Sequence, residues 1–159
     1  MGERNTATGN VQVAFMRLRD DARLPEYAHV GDAGLDLFAV DATILPPGGR
    51  AAVATGIAMA LPRGYEGQVR PRSGLALSHG ITVLNAPGTI DQGYRGELRV
   101  ILVNLGEGVF AIEPGMKVAQ LVVAPVVHVL PEWVERWPDE PDSTGGGTRG
   151  TRGFGSSGR

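Results

Sequence analysis

Short apolar segments recur along the chain, and glycine or proline separates them. Residues 11–16 and 57–61 place valine, phenylalanine, isoleucine or methionine at every second position, which predicts strands with one buried face. Residues 98–103 and 117–124 are longer runs rich in Val, Leu and Ile, a composition typical of strands. Combinations of proline and glycine that favour turns lie at 46–49, 62–64, 86–88 and 113–115.

Helical patterns are confined to residues 74–79 and, more weakly, 131–137. Glycine and proline account for 24 and 11 of the 159 residues, and such a composition is more typical of a turn-rich β protein than of a helical one. This chain length suits one domain with a hydrophobic core. The sequence therefore predicts a single all-β domain, which could be a sandwich, a barrel or a jelly roll, with one short helix.

The two ends of the chain differ from its middle. Residues 1–10 are polar and lack the apolar core of a signal peptide, so we expect a disordered N-terminus. Residues 138–159 are rich in Gly, Ser, Thr, Pro and charge, and such a segment cannot bury enough surface to offset its ordering. We therefore expect a β domain over residues 1–137 and a flexible, glycine-rich C-terminal arm over residues 138–159. The arm nevertheless contains Phe154 and several arginines, which a simple spacer would not need.

Composition and charge exclude several classes of function. There is no cysteine, so disulfides, thiolate zinc sites and cysteine nucleophiles are excluded. The formal net charge of −2 provides no basic field for nucleic acid, and we expect no nucleic-acid partner. The longest apolar stretch, residues 118–130, is interrupted by polar residues and proline and is too short to span a bilayer. We expect a cytoplasmic protein without a membrane partner.

Two apparent motifs carry no chemistry here. Residues 145–150 satisfy the GxGxxG spacing of dinucleotide-binding loops, but no strand precedes them and too few residues follow for a helix. The three histidines are far apart and lack the spacing of metal ligands.

Glycine punctuates five further segments, namely AGLDL (33–37), PRSGLA (71–76), NAPGTIDQGYRGE (85–97), GMKVAQL (115–121) and RGTRGFGSSG (149–158). In this order they resemble the five motifs of the trimeric dUTPase family. Each is weak alone, but the five in order make a strong match, and most of the chain resembles this family. Arg152 replaces a glycine that is common in the fifth motif, and Met116 and Lys117 replace the more usual Asp-Arg pair of the fourth. We expect neither departure to touch the residues that carry the chemistry.

The resemblance implies a homotrimeric, Mg²⁺-dependent enzyme with a distorted jelly-roll or β-barrel fold. Such an enzyme cleaves dUTP to dUMP and pyrophosphate at sites shared between subunits, with the C-terminal arm as a lid. The resemblance identifies Asp91 as the base that activates the attacking water, and it places Asp36 near the magnesium ion through metal-bound water. The residues implied to bind the phosphates are Arg72, Ser73, Gly74, Gln120 and Arg149. Those implied to bind uracil and deoxyribose are Asn85, Gly88, Thr89, Ile90, Asp91, Tyr94 and Phe154.

These residue types suit the implied reaction. Hydrolysis of a phosphoanhydride needs a positioned water, a base, and cations where negative charge accumulates. Uracil presents an acceptor, a donor and an acceptor on its pairing edge, which backbone groups near Asn85, Gly88 and Ile90 can match. The amino group of cytosine would instead face an N–H donor, and that mismatch discriminates strongly.

Most of these residues also have a simpler interpretation. Asp91 beside a glycine could be a turn residue, and Ser73 could cap the helix while Arg72 is a surface charge. Gln120 could satisfy a neighbouring backbone group, and Tyr94 could be a packed aromatic at an interface. The family match favours the functional role in each case.

Three other functions compete with dUTP hydrolysis. A dCTP deaminase-like enzyme would share the fold, but residues 90–94 and the arm with Phe154 argue against it. A nucleotide-sensing or regulatory module without catalysis is disfavoured by the intact candidate residues. A generic β-barrel binding protein would not need five ordered motifs.

Overall fold

Ten strands and one short helix make up residues 10–135, the part of the chain that the computed structural model describes. In chain order they are β1 (Ala14–Arg17), β2 (Leu35–Phe38), β3 (Thr43–Leu45), β4 (Arg50–Ala60), β5 (Tyr65–Arg70), α1 (Ser73–His79), β6 (Ile81–Val83), β7 (Gly88–Ile90), β8 (Glu97–Asn104), β9 (Phe110–Ile112) and β10 (Lys117–Pro125).

The strands form two four-stranded antiparallel sheets and one two-stranded ladder. The first sheet has the order β1-β4-β8-β6, the second has the order β2-β10-β5-β7, and β3 pairs with β9. In the first sheet, β4 and β8 are in register from Arg50↔Val103 to Ala54↔Arg99. The register shifts before Ala58, which lies opposite the first residue of β8, so β4 carries a bulge at that point.

Alternation along β8 shows how the core is built. Leu98, Val100 and Leu102 are buried, whereas Arg99 and Ile101 are exposed, as expected for a strand with one face on the core. Both four-stranded sheets and the β3–β9 ladder contribute to one hydrophobic cluster. Its largest fully buried members are Leu37, Leu45, Met59, Ile81, Leu102, Ile112 and Leu121. Each such side chain stabilises the fold by roughly 1.5–3 kcal/mol relative to exposure.

The prediction of an all-β fold with one short helix is confirmed, and the strands of residues 10–135 do not close into a barrel. The helix predicted over residues 74–79 is α1, which ends at Gly80 in the left-handed region (φ +68°). The helix predicted over residues 131–137 is wrong for residues 131–135, which form neither helix nor strand. Leu130 and Trp133 there are almost fully exposed, and so short a helix is not stable without packing.

The chain divides into two units, one ending at Val127 and the other beginning at His128. The structure describes residues 10–127 of the former and residues 128–135 of the latter. The predicted division into a β domain over residues 1–137 and an arm over residues 138–159 stays a prediction. Among the described residues, no helix has the length and apolar character needed to cross a membrane.

Candidate active site

The residues predicted to bind the base and the sugar lie together around one pocket, which we call the hairpin pocket. Its lining includes six of the seven, namely Asn85, Gly88, Thr89, Ile90, Asp91 and Tyr94. The seventh, Phe154, lies outside the described residues. The same pocket is lined by Glu97, Leu98 and Arg99 at the start of β8.

Strand β7 forms one wall of the hairpin pocket and is an edge of the second sheet, paired with β5 from Gly67↔Ile90 to Val69↔Gly88. An edge strand presents a row of backbone N–H and C=O groups on its outer side. Gly88 is buried, and a Cβ there would lie 3.2 Å from Asn85 Nδ2. The glycine therefore lets the Asn85 side chain lie against the backbone of β7.

The turn that carries Asp91 is held by several hydrogen bonds. The Tyr94 N–H donates to the Asp91 carbonyl at 3.0 Å, and Arg95 Nη1 donates to the carbonyls of Gln92 at 2.6 Å and Tyr94 at 2.7 Å. The Gly64 N–H donates to Gln92 Oε1 at 3.2 Å. Asp91 itself is exposed at the pocket, so its carboxylate is presented to solvent from a fixed turn.

The hydroxyl end of the Tyr94 side chain is held in place. Its hydroxyl donates to the Glu97 carbonyl at 2.9 Å. Its ring lies against Gly96, where an added Cβ would be 2.5 Å from the hydroxyl oxygen and 2.7 Å from Cζ. Tyr94 is 46% exposed, which leaves one part of the ring available to a ligand.

The residues predicted to bind the phosphates and the metal line a different pocket, which we call the helix-start pocket. Its lining includes Asp36, Arg72, Ser73, Gly74 and Gln120. Arg149, the remaining phosphate residue of the prediction, lies outside the described residues.

Asp36 is a buried carboxylate between two cations. It is 7% exposed, with Lys117 Nζ 2.7 Å from Oδ2 and Arg72 Nη1 3.4 Å from Oδ1. Within the described residues Oδ2 accepts no well-directed hydrogen bond, so its contact with Lys117 is an ion pair. A buried charge needs such compensation, because its desolvation is costly.

The expectation that Lys117 does not touch the site residues is therefore wrong. The reason is the pairing of β2 with β10, which places Lys117 opposite Phe38 and Gln120 opposite Asp36. A long, flexible lysine side chain at that position reaches the carboxylate. The signal for this contact in the sequence is the lysine at the start of β10, the strand that pairs with the AGLDL segment.

Gln120 is fixed by its neighbours. Its Nε2 donates to the Pro71 carbonyl at 2.9 Å. The simpler interpretation, in which Gln120 satisfies a neighbouring backbone group, is therefore confirmed. The amide has two N–H donors, and a second one remains for a ligand. A Cβ at Gly34 would overlap Gln120 Oε1, so this glycine makes room for the glutamine.

Helix α1 begins at Ser73, with Arg72 in the N-cap position and no hydrogen bond from its side chain to the helix backbone. The alternative interpretation of Ser73 as the N-cap is therefore wrong. Arg72 is partly buried and points to Asp36, so it is not simply a surface charge.

The two pockets are lined by different parts of the second sheet. Asp36 lies on β2 and residues 88–90 of the hairpin pocket form β7, and these two strands are opposite edges of the sheet, with β10 and β5 between them. Three interstrand spacings of about 4.8 Å separate these edges by about 14 Å. Gln120 on β10 is one strand nearer to the hairpin.

The chain matches the family model described as dUTPase over residues 20–158. It is 51% identical to the deoxyuridine 5'-triphosphate nucleotidohydrolase of Clostridium kluyveri over 148 residues, covering 93% of this chain and 99% of the relative. It is 52% identical to the protein of that name from Gloeothece citriformis, with 93% and 97% covered.

Solved structures of dUTPases are also similar to this chain. A mutant dUTPase of Staphylococcus bacteriophage 80alpha, with dUpNHpp, superposes with a TM-score of 0.82 at 29% identity, covering 93% of this chain and 99% of the other. A mutant dUTPase from phage phi11 of S. aureus, whose structure reveals the coordination of a structural Mg(II) ion, has a TM-score of 0.74 at 28% identity, with 79% and 98% covered. The jelly-roll prediction is confirmed by these relatives, and nothing in the comparisons supports a dCTP deaminase or a module without catalysis. The chain belongs to the dUTPase family.

Proposed function

We propose that this protein hydrolyses dUTP to dUMP and pyrophosphate, with Asp91 activating the water that attacks the α-phosphorus. The observation that carries this proposal is the hairpin pocket, in which an exposed carboxylate, an edge strand and a fixed tyrosine ring meet. The family to which the chain belongs supports the same reaction.

Base selection follows from the edge of β7. Its outer backbone groups can pair with the acceptor, donor and acceptor of uracil as another strand would. Cytosine would leave an N–H donor facing its amino group, and buried unpaired groups are costly. Asn85 packs against Gly88 at the base of this edge, which leaves little space for the methyl group of thymine. We propose that the partly exposed ring of Tyr94 contacts the deoxyribose and excludes a 2′-hydroxyl, because Tyr94 lines the same pocket as β7.

The chemical step is a displacement at phosphorus. Asp91 accepts a proton from water as the water oxygen bonds to the α-phosphorus, and the bond from that phosphorus to the bridging oxygen breaks to release pyrophosphate. Arg72, Ser73, Gly74 and Gln120 hold the phosphates, and Arg149 adds a further cation from the arm. General-base assistance contributes about 10²–10⁴-fold, and orientation with charge stabilisation supplies the remaining acceleration.

The residues of the helix-start pocket fit a magnesium ion that is held mainly by phosphate oxygens and water. Residues 10–135 contain no group of three or more metal-ligating side chains, and both oxygens of Asp36 already face cations. Asp36 therefore suits an indirect contact through metal-bound water, and Mg²⁺ characteristically keeps several waters. Bound to the substrate, the ion would draw charge from the phosphates.

Each site is shared between subunits of a homotrimer in this proposal. Within one chain, Asp91 lines the hairpin pocket, whereas the proposed phosphate-binding residues line the separate helix-start pocket. Reacting atoms must approach to about 3–3.5 Å, so pairing the hairpin pocket of one subunit with the helix-start pocket of another offers a direct solution. Residues 138–159 are proposed as a flexible arm whose Phe154 stacks on uracil and whose Arg149 binds the phosphates.

The cellular role that follows is to keep dUTP low, so that uracil stays out of DNA, and to supply dUMP for thymidylate synthesis. We propose the cytoplasm as its location, and no nucleic acid as a partner. The test is pyrophosphate release from dUTP, dCTP, dTTP and UTP in parallel, with and without Mg²⁺. We expect release from dUTP with Mg²⁺ to exceed the others strongly. Ammonia release from dCTP, or no turnover of dUTP, would contradict the proposal.

A further inference from the structure

We propose that Glu97 is a positioning residue for sugar selection, because its carboxylate fixes the backbone carbonyl that holds the Tyr94 hydroxyl. Glu97 lies within NAPGTIDQGYRGE but was not among the site residues predicted from the sequence. The inference rests on the proposed role of Tyr94 against deoxyribose.

The link from Glu97 to Tyr94 is a backbone contact. The Tyr94 hydroxyl donates to the Glu97 carbonyl at 2.9 Å, and Gly96 between them allows the ring to fold back over the chain. The position of the ring therefore depends on where the first residue of β8 lies.

The Glu97 side chain ties that residue to the bulge of β4. Its Oε1 accepts a hydrogen bond from the Gly56 N–H at 2.9 Å. Gly56 lies in the left-handed region (φ +68°), and a Cβ there would be 2.9 Å from Ala22 Cβ and 3.1 Å from Val40 Cγ1. The Gly56 carbonyl accepts a hydrogen bond from the Leu18 N–H at 2.8 Å. The bulge is thus closely packed and gives Glu97 a fixed donor.

This hydrogen bond lies where the ladder between β4 and β8 is interrupted. Glu97 pairs with Ala58, whereas the next pair toward the bulge is Arg99 with Ala54. Thr55 Oγ1 bridges part of the gap by donating to the Leu98 carbonyl at 2.5 Å. The Glu97 carboxylate takes the place of a ladder bond at the end of β8 that faces the hairpin pocket.

The role needs an acceptor oxygen and not a negative charge. Glu97 Oε2 also lies 3.3 Å from Arg99 Nε, but the Arg99 side chain is 55% exposed, and ion pairs of this kind contribute little. Glutamine keeps the acceptor at the same place, so Glu97→Gln should behave as the parent protein, whereas Glu97→Ala should not.

The test is the ratio of kcat/KM for dUTP to kcat/KM for UTP in the full-length protein. We expect Glu97→Ala to lower this ratio about three- to tenfold, the effect of one hydrogen bond, and Glu97→Gln to restore it. Glu97→Ala keeps the backbone carbonyl but removes the carboxylate that anchors it to Gly56, whereas Tyr94→Phe removes the hydroxyl that binds this carbonyl. Tyr94 is exposed, so its replacement by Phe should not impair folding. The double variant should be no worse than the more impaired single variant, because both changes interrupt the same linkage.

Asn104→Ala is the control for general weakening of β8. Asn104 is fully buried at the opposite end of β8 and donates to the carbonyls of Leu45 and Gly108. The Asn104→Ala variant should have a lower melting temperature and an unchanged ratio of kcat/KM for dUTP to that for UTP. An unchanged ratio in Glu97→Ala, or an equal fall in Asn104→Ala, would overturn the inference about Glu97 alone. An unchanged ratio in Tyr94→Ala would instead remove the proposed role of Tyr94, and the inference with it.

Discussion

Asp91 is placed by its backbone more than by its side chain. The carbonyl of Asp91 closes a turn with the Tyr94 N–H, and Arg95 and Gln92 hold the same turn from two further directions. The carboxylate remains exposed at the pocket. In its proposed role as a base, a carboxylate carried by this turn would need little reorganisation before the reaction, which is how orientation contributes to rate.

Asp91→Asn should lower turnover of dUTP at least ~10²-fold, because the amide cannot accept the proton. Binding of a non-hydrolysable dUTP analogue and the melting temperature should stay close to those of the parent protein, since the turn is built from backbone contacts. Asp41→Asn is a matched control, because Asp41 lines neither pocket. Near-normal turnover in the Asp91 variant would remove Asp91 from this role.

Gly34→Ala tests whether the placement of Gln120 matters for the phosphates. A Cβ at residue 34 would overlap Gln120 Oε1, the far end of a flexible side chain. The fold should survive while the glutamine moves, and the KM for dUTP should rise about tenfold, as expected for a lost contact to a charged group. Gly108→Ala is the control, because a Cβ there meets nothing within 4 Å. An unchanged KM in the Gly34 variant would mean that Gln120 does not bind substrate.

At the scale of elements, β8 and β10 are predicted almost in full, β1 and β4 only in part, and the shortest strands not at all. β4, β8 and β10 contain 11, 8 and 9 residues, so their apolar pattern is long enough to recognise. β3, β7 and β9 have three residues each, and their strand form depends on pairing with a partner. No local pattern specifies that pairing.

The same distinction applies to the candidate site. The predicted residues that line the hairpin and helix-start pockets lie in contiguous motifs, which a sequence displays directly. Lys117 and the tie from Glu97 to Gly56 were missed, since they depend on the register of β10 against β2 and of β8 against β4. A contact between strands distant in sequence is visible only after they are paired.

The proposed C-terminal arm, residues 138–159, lies outside the described residues. Ending the chain after Gly147 removes Arg149 and Phe154 and should sharply lower dUTP turnover, while the proposed trimer should stay intact by size-exclusion chromatography. Phe154→Ala should cost less than the truncation, because Arg149 remains. A truncated protein as active as the full chain would refute the role of the arm as a lid.

At the scale of the whole molecule, the two pockets of one chain are proposed to be two parts of a nucleotide site. In this proposal the hairpin pocket supplies a base and a surface for the nucleoside, and the helix-start pocket supplies cationic and amide groups for the phosphates. Asp36 and residues 88–90 lie on opposite edges of the second sheet. A closed, symmetric trimer would complete three equivalent sites at once.

Mixing two inactive variants, Asp91→Ala and Arg72→Ala, tests this arrangement. If each site takes Asp91 from one subunit and Arg72 from its neighbour, any mixed trimer has one site with both native residues. Mixed trimers, purified through a different affinity tag on each variant, should then show about one third of the parent activity. If both residues came from the same chain, every site would lack one of them and no activity would return. Replacing Arg72→Ala by Arg149→Ala in the same experiment asks whether the arm also reaches a neighbouring subunit, with recovery expected if it does.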